Sequence, residues 1–438
     1  MNIPQISTAL QNVLGPQADI LARTKGFVRR NQKITGSNFA QTLVFGFLNN
    51  PKMSYRQMRL VATFSKLNIS SQGLEQRFNK TSAEFMKAVL DQAISQTISS
   101  SVGLDLELLN RFSKVYIQDG TVIDLPEACA SVWQGLQASG NTGCSSLKLH
   151  VSWEYKTGQL SGLALANGRE HDQQSPWFSQ TREKGDLRIA DLGFFDLDQF
   201  AQDHQCGAFW VSRYKHGTNL WQNGQLVSLS DILRKKTSQV VDVEVLLGKH
   251  HRIPCRLLAF PLDDATTAEQ VRKLRENARK RGTELPKERI LLAGWAIFVT
   301  NAPLDLLSPA DVLTLYRLRW QIELLFRLWK SETFLDESTS RNPWRVLTEV
   351  YAKLIAVLIQ HWFILISAWH IPDISMTLVA SVIRQFIVPL HIYFNDYPNL
   401  LTTLSLMVNA LHDSVPRLLK RKAHPSHFQL LMSSDPLN

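Results

Sequence analysis

Tyr316-Arg317-Leu318-Arg319-Trp320-Gln321-Ile322-Glu323-Leu324-Leu325-Phe326-Arg327-Leu328-Trp329-Lys330-Ser331-Glu332 is the stretch on which the reading of this chain turns. At 100° per residue on a helix, Tyr316, Arg319, Glu323 and Lys330 fall within an arc of roughly 60°. Leu318, Ile322, Leu325 and Trp329 collect on another side, where a buried stripe is expected. Arg319 and Glu323 also have the i,i+4 spacing of an ordinary surface ion pair. A carboxylate between two cations and a phenol is, equally, what a phosphate-handling metal site needs: the acid to hold the ion, the cations to hold the phosphodiester.

The wider composition allows either reading. The chain has 438 residues, 44% hydrophobic and 20% charged, enough for two or three domains with a sizeable core. Its net charge of +10 and pI near 9.4 point toward a polyanionic partner. Cys129, Cys144, Cys206 and Cys255 are widely separated, so neither a zinc site nor a disulfide framework is expected, and a reducing compartment follows. The first residues lack the basic and apolar regions of a signal peptide. Leu354 to Trp369 is apolar but interrupted by Gln360 and His361, which predicts a buried core helix and no membrane partner.

Residues 1–105 read as helical: Ser37 is expected to cap a helix through Phe39, Leu43 and Phe47, and Ser54 with Gln57 has capping-box spacing. Arg23, Lys25, Arg29, Arg30, Lys33, Arg56, Arg59 and Arg77 suit a DNA-binding head. From Val115 the period changes to that of strands. Val115 to Asp119 is expected as a strand ending in an acid, Ser146–Trp153 and Leu160–Ala166 as a hairpin, and Asp186–Asp191 as a second strand ending in an acid. A helix is expected near Pro176-Trp177-Phe178, another from Asp196 to Phe200, and a fifth strand from Ala208 to Arg213. Val240–Leu247 and Ile253–Phe260 read as a hairpin, Val271–Arg289 as a basic helical segment with eight Lys/Arg against three Glu, and Ile290–Thr300 as one strand. Long helices fill the rest, and Arg417, Lys420, Arg421, Lys422 and His424 form a basic cluster read as a solvated tail.

This is a mixed α/β pattern with acids at strand ends. Asp119, Asp191 and Glu323 together, beside Arg319 and Lys330, make a three-carboxylate set able to hold two divalent ions for phosphodiester chemistry. Oxygen-only ligands favour Mg²⁺ or Mn²⁺.

Tyr316-x-x-Arg319-x-x-x-Glu323-x-x-x-x-x-x-Lys330 resembles the Y-R-E-K signature of DDE insertion-sequence transposases, family-four branch. Asp119-Gly120-Thr121 is similar to the segment bearing that family's first aspartate, Asp191-x-Gly193-Phe194-Phe195 to the second, and Thr300-Asn301 fits as well. The resemblance covers roughly residues 110 to 335 and implies an RNase H-like core interrupted by a β-rich insertion. The expected division is 1–105 helical and DNA-end binding; 106–215 with 306–375 catalytic core; 216–305 insertion; 376–438 helical and a candidate for dimerisation. Asp119, Asp191 and Glu323 would be catalytic metal ligands, and Tyr316, Arg319 and Lys330 DNA contacts. Trp295 and Trp320 are candidates to stack on a displaced base, an interaction worth about 1–3 kcal/mol, with core packing the other reading of Trp295 inside its apolar strand.

Cut-and-paste transposition is the implied activity, with double-stranded DNA as partner, a homodimer in the synaptic complex, and a bacterial cytoplasmic location on the nucleoid. A metal-dependent nuclease of the same fold and a non-catalytic DNA-binding descendant are the alternatives. One departure is Leu192, where the family commonly has a basic residue, which puts one DNA contact in doubt.

Overall fold

The computed structural model describes residues 2–30, 33–136, 144–234, 239–338, 340–371, 373, 375–414, 429 and 431. The basic cluster at Arg417–His424 lies outside them. The chain opens with α1 (Ile3–Leu14), α2 (Pro16–Thr24), α3 (Gly36–Asn49), α4 (Tyr55–Phe64), α5 (Ser71–Glu75), α6 (Lys80–Ile94) and the short α7 (Glu107–Asn110). Strands β1 (Val115–Leu125), β2 (Ser145–Glu154), β3 (Leu160–Asn167) and β4 (Leu187–Ala190) precede α8 (Leu197–Gln205). Next come β5 (Phe209–Arg213), β6 (Leu220–Gln222), β7 (Gln225–Val227), α9 (Leu229–Arg234), β8 (Val241–Leu247) and β9 (Ile253–Pro261). After α10 (Asp264–Arg281) and α11 (Lys287–Leu292), β10 (Trp295–Thr300) leads into α12 (Pro309–Leu318) and α13 (Trp320–Thr333). The long helices α14 (Pro343–Ser367), α15 (Met376–Ile392) and α16 (Tyr397–Ser414) follow.

The chain forms two compact units. The first comprises residues 1–105, 119–175 and 321–422. At its centre is α14, whose side chains are buried almost from end to end because Val, Leu, Ile and Ala occupy every face. It is long and apolar enough to cross a membrane, yet 94% of its most apolar window is buried against protein. Helices α3 and α6 pack along it. Ser82 and Thr348 hydroxyls meet at 3.0 Å, the Asn342 amide donates to the Phe78 carbonyl, and the Arg345 guanidinium lies 3.9 Å above the Tyr55 ring. In the same unit β2 and β3 form the expected antiparallel hairpin, His150 opposite Ala164. β2 is buried along its whole length, on both faces.

Two histidines in this unit are held neutral. His361 on α14 donates from Nε2 to the Gly158 carbonyl at 2.8 Å, and burial lowers its pKa to about 4. His391 on α15 lies against Phe45 and Ser65, and burial likewise lowers it to about 4. The unfolded chain binds protons at these positions from about pH 6.5 downward and the folded chain does not. Stability from both groups is therefore complete above about pH 6.5 and falls away as the pH drops toward 4, by a few kcal/mol in all. Urea unfolding at pH 7 and pH 5 is expected to show a lower midpoint at pH 5, and His361→Phe, with Gly158 left without its donor, a flatter pH slope.

The second unit comprises residues 106–118, 176–320 and 423–438. Its strands run in the order β1-β4-β5-β10-β9-β8-β6-β7. β1, β4 and β5 are parallel (Ile117 opposite Ile189, Ile189 opposite Val211), and β10 returns antiparallel to β5. The hairpin expected at 240–260 is present as β8 and β9, with Val245 opposite Cys255. Asn301 fixes the exit of β10: its Oδ1 accepts from the Trp210 amide and its Nδ2 donates to the Ala208 carbonyl, both at 2.8 Å.

Local readings that the structure corrects share a cause, competition from neighbouring residues. Thr35, not Ser37, caps α3, because Asn38 completes a capping box with it. The Ser54–Gln57 box forms as expected. Pro176–Ser179 make turns, not a helix. Ile290–Leu292 end α11, and the strand starts only at Trp295 after Gly294. β1 does not stop at Asp119 but continues to Leu125, carried by Val122 and Ile123.

Candidate active site

The stretch that opened the sequence reading is two helices, not one. α12 ends at Leu318 and α13 begins at Trp320, with Arg319 at the junction in right-handed helical geometry (φ −50°, ψ −34°). The expected apolar stripe holds across the junction: Leu318 and Ile322 are fully buried, and Leu325 and Trp329 nearly so. Glu323 and Lys330 on α13, and Tyr316 on α12, are half-buried.

Asp191 follows β4 directly and starts a single 3-10 turn, Leu192–Phe194. Parallel strands leave such acids at their carboxyl ends, where ligand-binding crevices form. The Tyr316 hydroxyl donates to Asp191 Oδ1 at 3.2 Å, and its ring packs 4.9 Å from that of Phe298 on β10. Burial first, then the Asp191 charge, raises the phenol's pKa, so the hydroxyl keeps its proton and remains a donor. The Tyr316 hydroxyl thus has a protein partner in addition to the DNA contact expected from the sequence. The Arg319 and Arg213 guanidiniums act the other way on the same phenol, which puts two cations around the Asp191–Tyr316 pair. Arg213, exposed at the end of β5, was not singled out in the sequence.

Asp119 is half-buried within β1, and its Oδ1 accepts from the Gly120 amide at 2.8 Å. Gly120 is needed for close approach. A Cβ there would lie 2.9 Å from Asp172 Oδ1, 3.0 Å from Lys148 Cε and 3.4 Å from His150 Nδ1. Lys148 bonds Asp172 at 2.8 Å and the Glu170 carbonyl at 2.7 Å. His150 is 1% exposed with neither ring nitrogen hydrogen-bonded, and burial followed by the Lys148 charge lowers its pKa. Only the alternation of β2, which puts residues 148 and 150 on one face, hinted at this cluster. Lys330 donates to the Val122 carbonyl at 2.7 Å, tying α13 to β1 three residues beyond Asp119. An ammonium has three protons, so this bond leaves capacity for an anion.

The two tryptophans part company. Trp320 is 44% exposed beside Arg319. Trp295 is 8% exposed and belongs to a core with Trp210, Leu247 and Leu257, so it presents no ring face for a base in this conformation. A flat indole in an apolar strand packs inward when the strand is covered on that side.

The second unit also holds a buried polar network. Arg188 on β4 makes a two-point pair with Asp203 on α8 (2.6 and 3.2 Å), donates to Gln118 Oε1 at 3.1 Å, and reaches the Phe178 and Gln180 carbonyls. Gln118 precedes Asp119, and Arg188 lies three residues before Asp191.

Asp119, Asp191 and Glu323 offer only oxygen donors, a set that suits a hard divalent cation. Among the described residues no three His, Cys, Asp or Glu side chains are gathered closely enough to hold one.

Residues 110–359 match the family model for the transposase DDE domain, more than half of the chain. The chain belongs to this family. Curated relatives carry the likeness further along the chain. The transposase for insertion sequence element IS231F of Bacillus thuringiensis subsp. israelensis is 27% identical over 372 residues, 80% of this chain and 77% of that protein. The transposase for IS1151 of Clostridium perfringens is 24% identical over 361 residues, 77% of this chain and 76% of the other. Putative transposase InsL for IS186A of Escherichia coli K12 is 27% identical over 256 residues, 56% of this chain and 64% of its own. All three acids of this DDE-family chain lie within the matched span, as do Tyr316, Arg319, Trp320, Lys330 and the Gln118–Arg188–Asp203 network.

Proposed function

We propose that this chain is a cut-and-paste DNA transposase that cleaves the ends of an insertion sequence and joins their 3′-hydroxyls to target DNA. Asp119, Asp191 and Glu323 are the residues that would hold its divalent ions, Mg²⁺ or Mn²⁺. One observation carries the reading: a DDE-domain match over 110–359 that includes all three acids, each half-buried on or beside a regular element. Held there, divalent ions would supply activation of a water or 3′-hydroxyl and charge stabilisation at the leaving oxygen.

The chain's own residues have the following parts in this scheme. Tyr316 holds one oxygen of Asp191 and so orients the carboxylate. Arg319, Arg213 and Lys330 supply positive charge for the phosphates flanking the scissile bond. Trp320 offers an exposed ring on which an unpaired base can stack. The same reading takes β1, β4 and β5 as an RNase H-like core and residues 216–305 as its insertion. Two protomers then pair two ends, so a dimer is expected on DNA, with the N-terminal helices contributing end recognition.

The test uses the DNA flanking the gene. Duplexes ending in its inverted repeats, incubated with the protein, Mg²⁺ and a target plasmid, are expected to give products joined through the 3′-hydroxyl. Cutting without joining would instead indicate a nuclease, and binding without cutting a non-catalytic descendant.

A further inference from the structure

We infer that the carboxyl-terminal half of α10 is a docking element for the phosphodiester backbone of duplex DNA, independent of sequence. The inference rests on the proposal that this protein acts on DNA. Helix α10 runs 18 residues, Asp264–Arg281, without one buried residue. A helix that is polar all round gains little from packing, so its surface is free to serve another purpose.

Charge is distributed unevenly along it. The first seven residues hold Asp264 and Glu269 and no cation; the remaining eleven hold Arg272, Lys273, Arg275, Arg279, Lys280 and Arg281 against Glu276 alone. Glu269 and Glu276 are already engaged by Arg272 at 2.8 and 2.9 Å, and Glu269 by Lys273 at 3.3 Å. Arg275, Arg279, Lys280 and Arg281 are exposed and form no ion pair among the described residues.

The helix dipole accounts for cations in the last turn. It does not account for Arg275, which lies outside that turn and one turn before Arg279 on the same side, where like charges repel. Gly282, in the left-handed region at φ 61°, closes the helix with its amide on the Ala278 and Arg279 carbonyls, so the last turn is firmly ended without help from the side chains. Four uncompensated cations on a helix within a chain of net charge +10 are complementary to a regular polyanion, and Arg favours phosphate geometry in particular.

The experiment compares the full-length protein with R275Q/R279Q/K280Q/R281Q, measuring anisotropy of labelled duplexes of several unrelated sequences between about 50 and 200 mM salt. None of the four side chains is buried, so the variant is expected to keep the parent's circular dichroism. Each phosphate contact contributes about 0.9 to the slope of log affinity against log salt, so the slope is expected to shrink by about 3 to 4 for every sequence alike. A second variant, R272Q/K273Q, removes cations that already have partners and is expected to change the slope by less than half as much. An unchanged slope with binding intact overturns the inference and leaves the proposed function standing. Absence of duplex binding by the parent protein overturns both. Loss confined to phosphatidylserine vesicles would make α10 a membrane element and also overturn it.

Discussion

Asp191→Asn is expected to reduce strand joining by roughly a thousandfold or more, while the protein stays folded and still binds DNA. The substitution is nearly isosteric, and its amide oxygen can still accept the Tyr316 hydroxyl that reaches Asp191 Oδ1. What it removes is the negative charge that a divalent cation requires, and metal-assisted charge stabilisation is worth several kcal/mol in a phosphoryl transition state. Asp119→Asn keeps the Gly120 amide satisfied in the same way. Glu323→Gln completes the set, and on the proposed mechanism all three are expected to fall to a similar floor, since the acids would act as a unit. Tyr316→Phe makes a graded contrast: losing one hydrogen bond to a charged group should cost about ten- to a hundredfold. Product gels with pre-cut and uncut ends decide the matter. More than a tenth of parental joining in any of the three acid variants would exclude that residue from the metal set.

The second large effect is on stability. Arg188→Met should destabilise the protein by about 3–5 kcal/mol, because it leaves Asp203 buried without its partner. Asp203 is fully buried, and Arg188 is 2% exposed. The substitution also strips donors from the Gln118 side chain and from the Phe178 and Gln180 carbonyls. Removing both charges should be far milder, since replacing a buried ion pair with apolar groups of similar volume is often neutral. Chemical denaturation of Arg188→Met, Asp203→Leu and the double variant tests this as a cycle, with strong positive coupling expected. Additive losses would mean that the two side chains act separately. Because Gln118 adjoins Asp119, the Arg188 variant is also expected to lose joining activity at temperatures where it remains folded.

These two predictions draw on different kinds of information, and only the first was legible in the sequence. Asp119 and Asp191 stood out because each follows an apolar strand pattern, and Glu323 because its spacing to Arg319 and Lys330 is local to one stretch. The hairpins at 145–167 and 241–261 were equally plain, since alternation over seven or more residues has one physical reading. Arg188 and Asp203 gave no such signal: one lies in an apolar strand and the other on an amphipathic helix, fifteen residues apart. Lys148, His150 and Asp172 were hidden for the same reason, as their meeting depends on the path of the chain and not on its period. Trp295 shows the converse. An aromatic in a strand can face a groove or a core with the same local sequence, and the core that Trp295 joins includes Trp210 on β5 and Leu257 on β9, far from it along the chain.

The burial of α14 against α3 and α6 bears on how the protein is made. The faces of α3 and α6 that meet α14, where Ser82 bonds Thr348 and Lys353 lies over the Phe47 ring, are finished by a helix that starts about 250 residues after α6 ends. At about 5–20 residues per second, a ribosome takes roughly 12 to 50 seconds to supply it. Throughout that interval the amino-terminal helices are a greasy, half-built bundle awaiting its keystone. A nascent chain in this state is a natural client for a chaperone, and one cut short before Pro343 is a natural substrate for a protease.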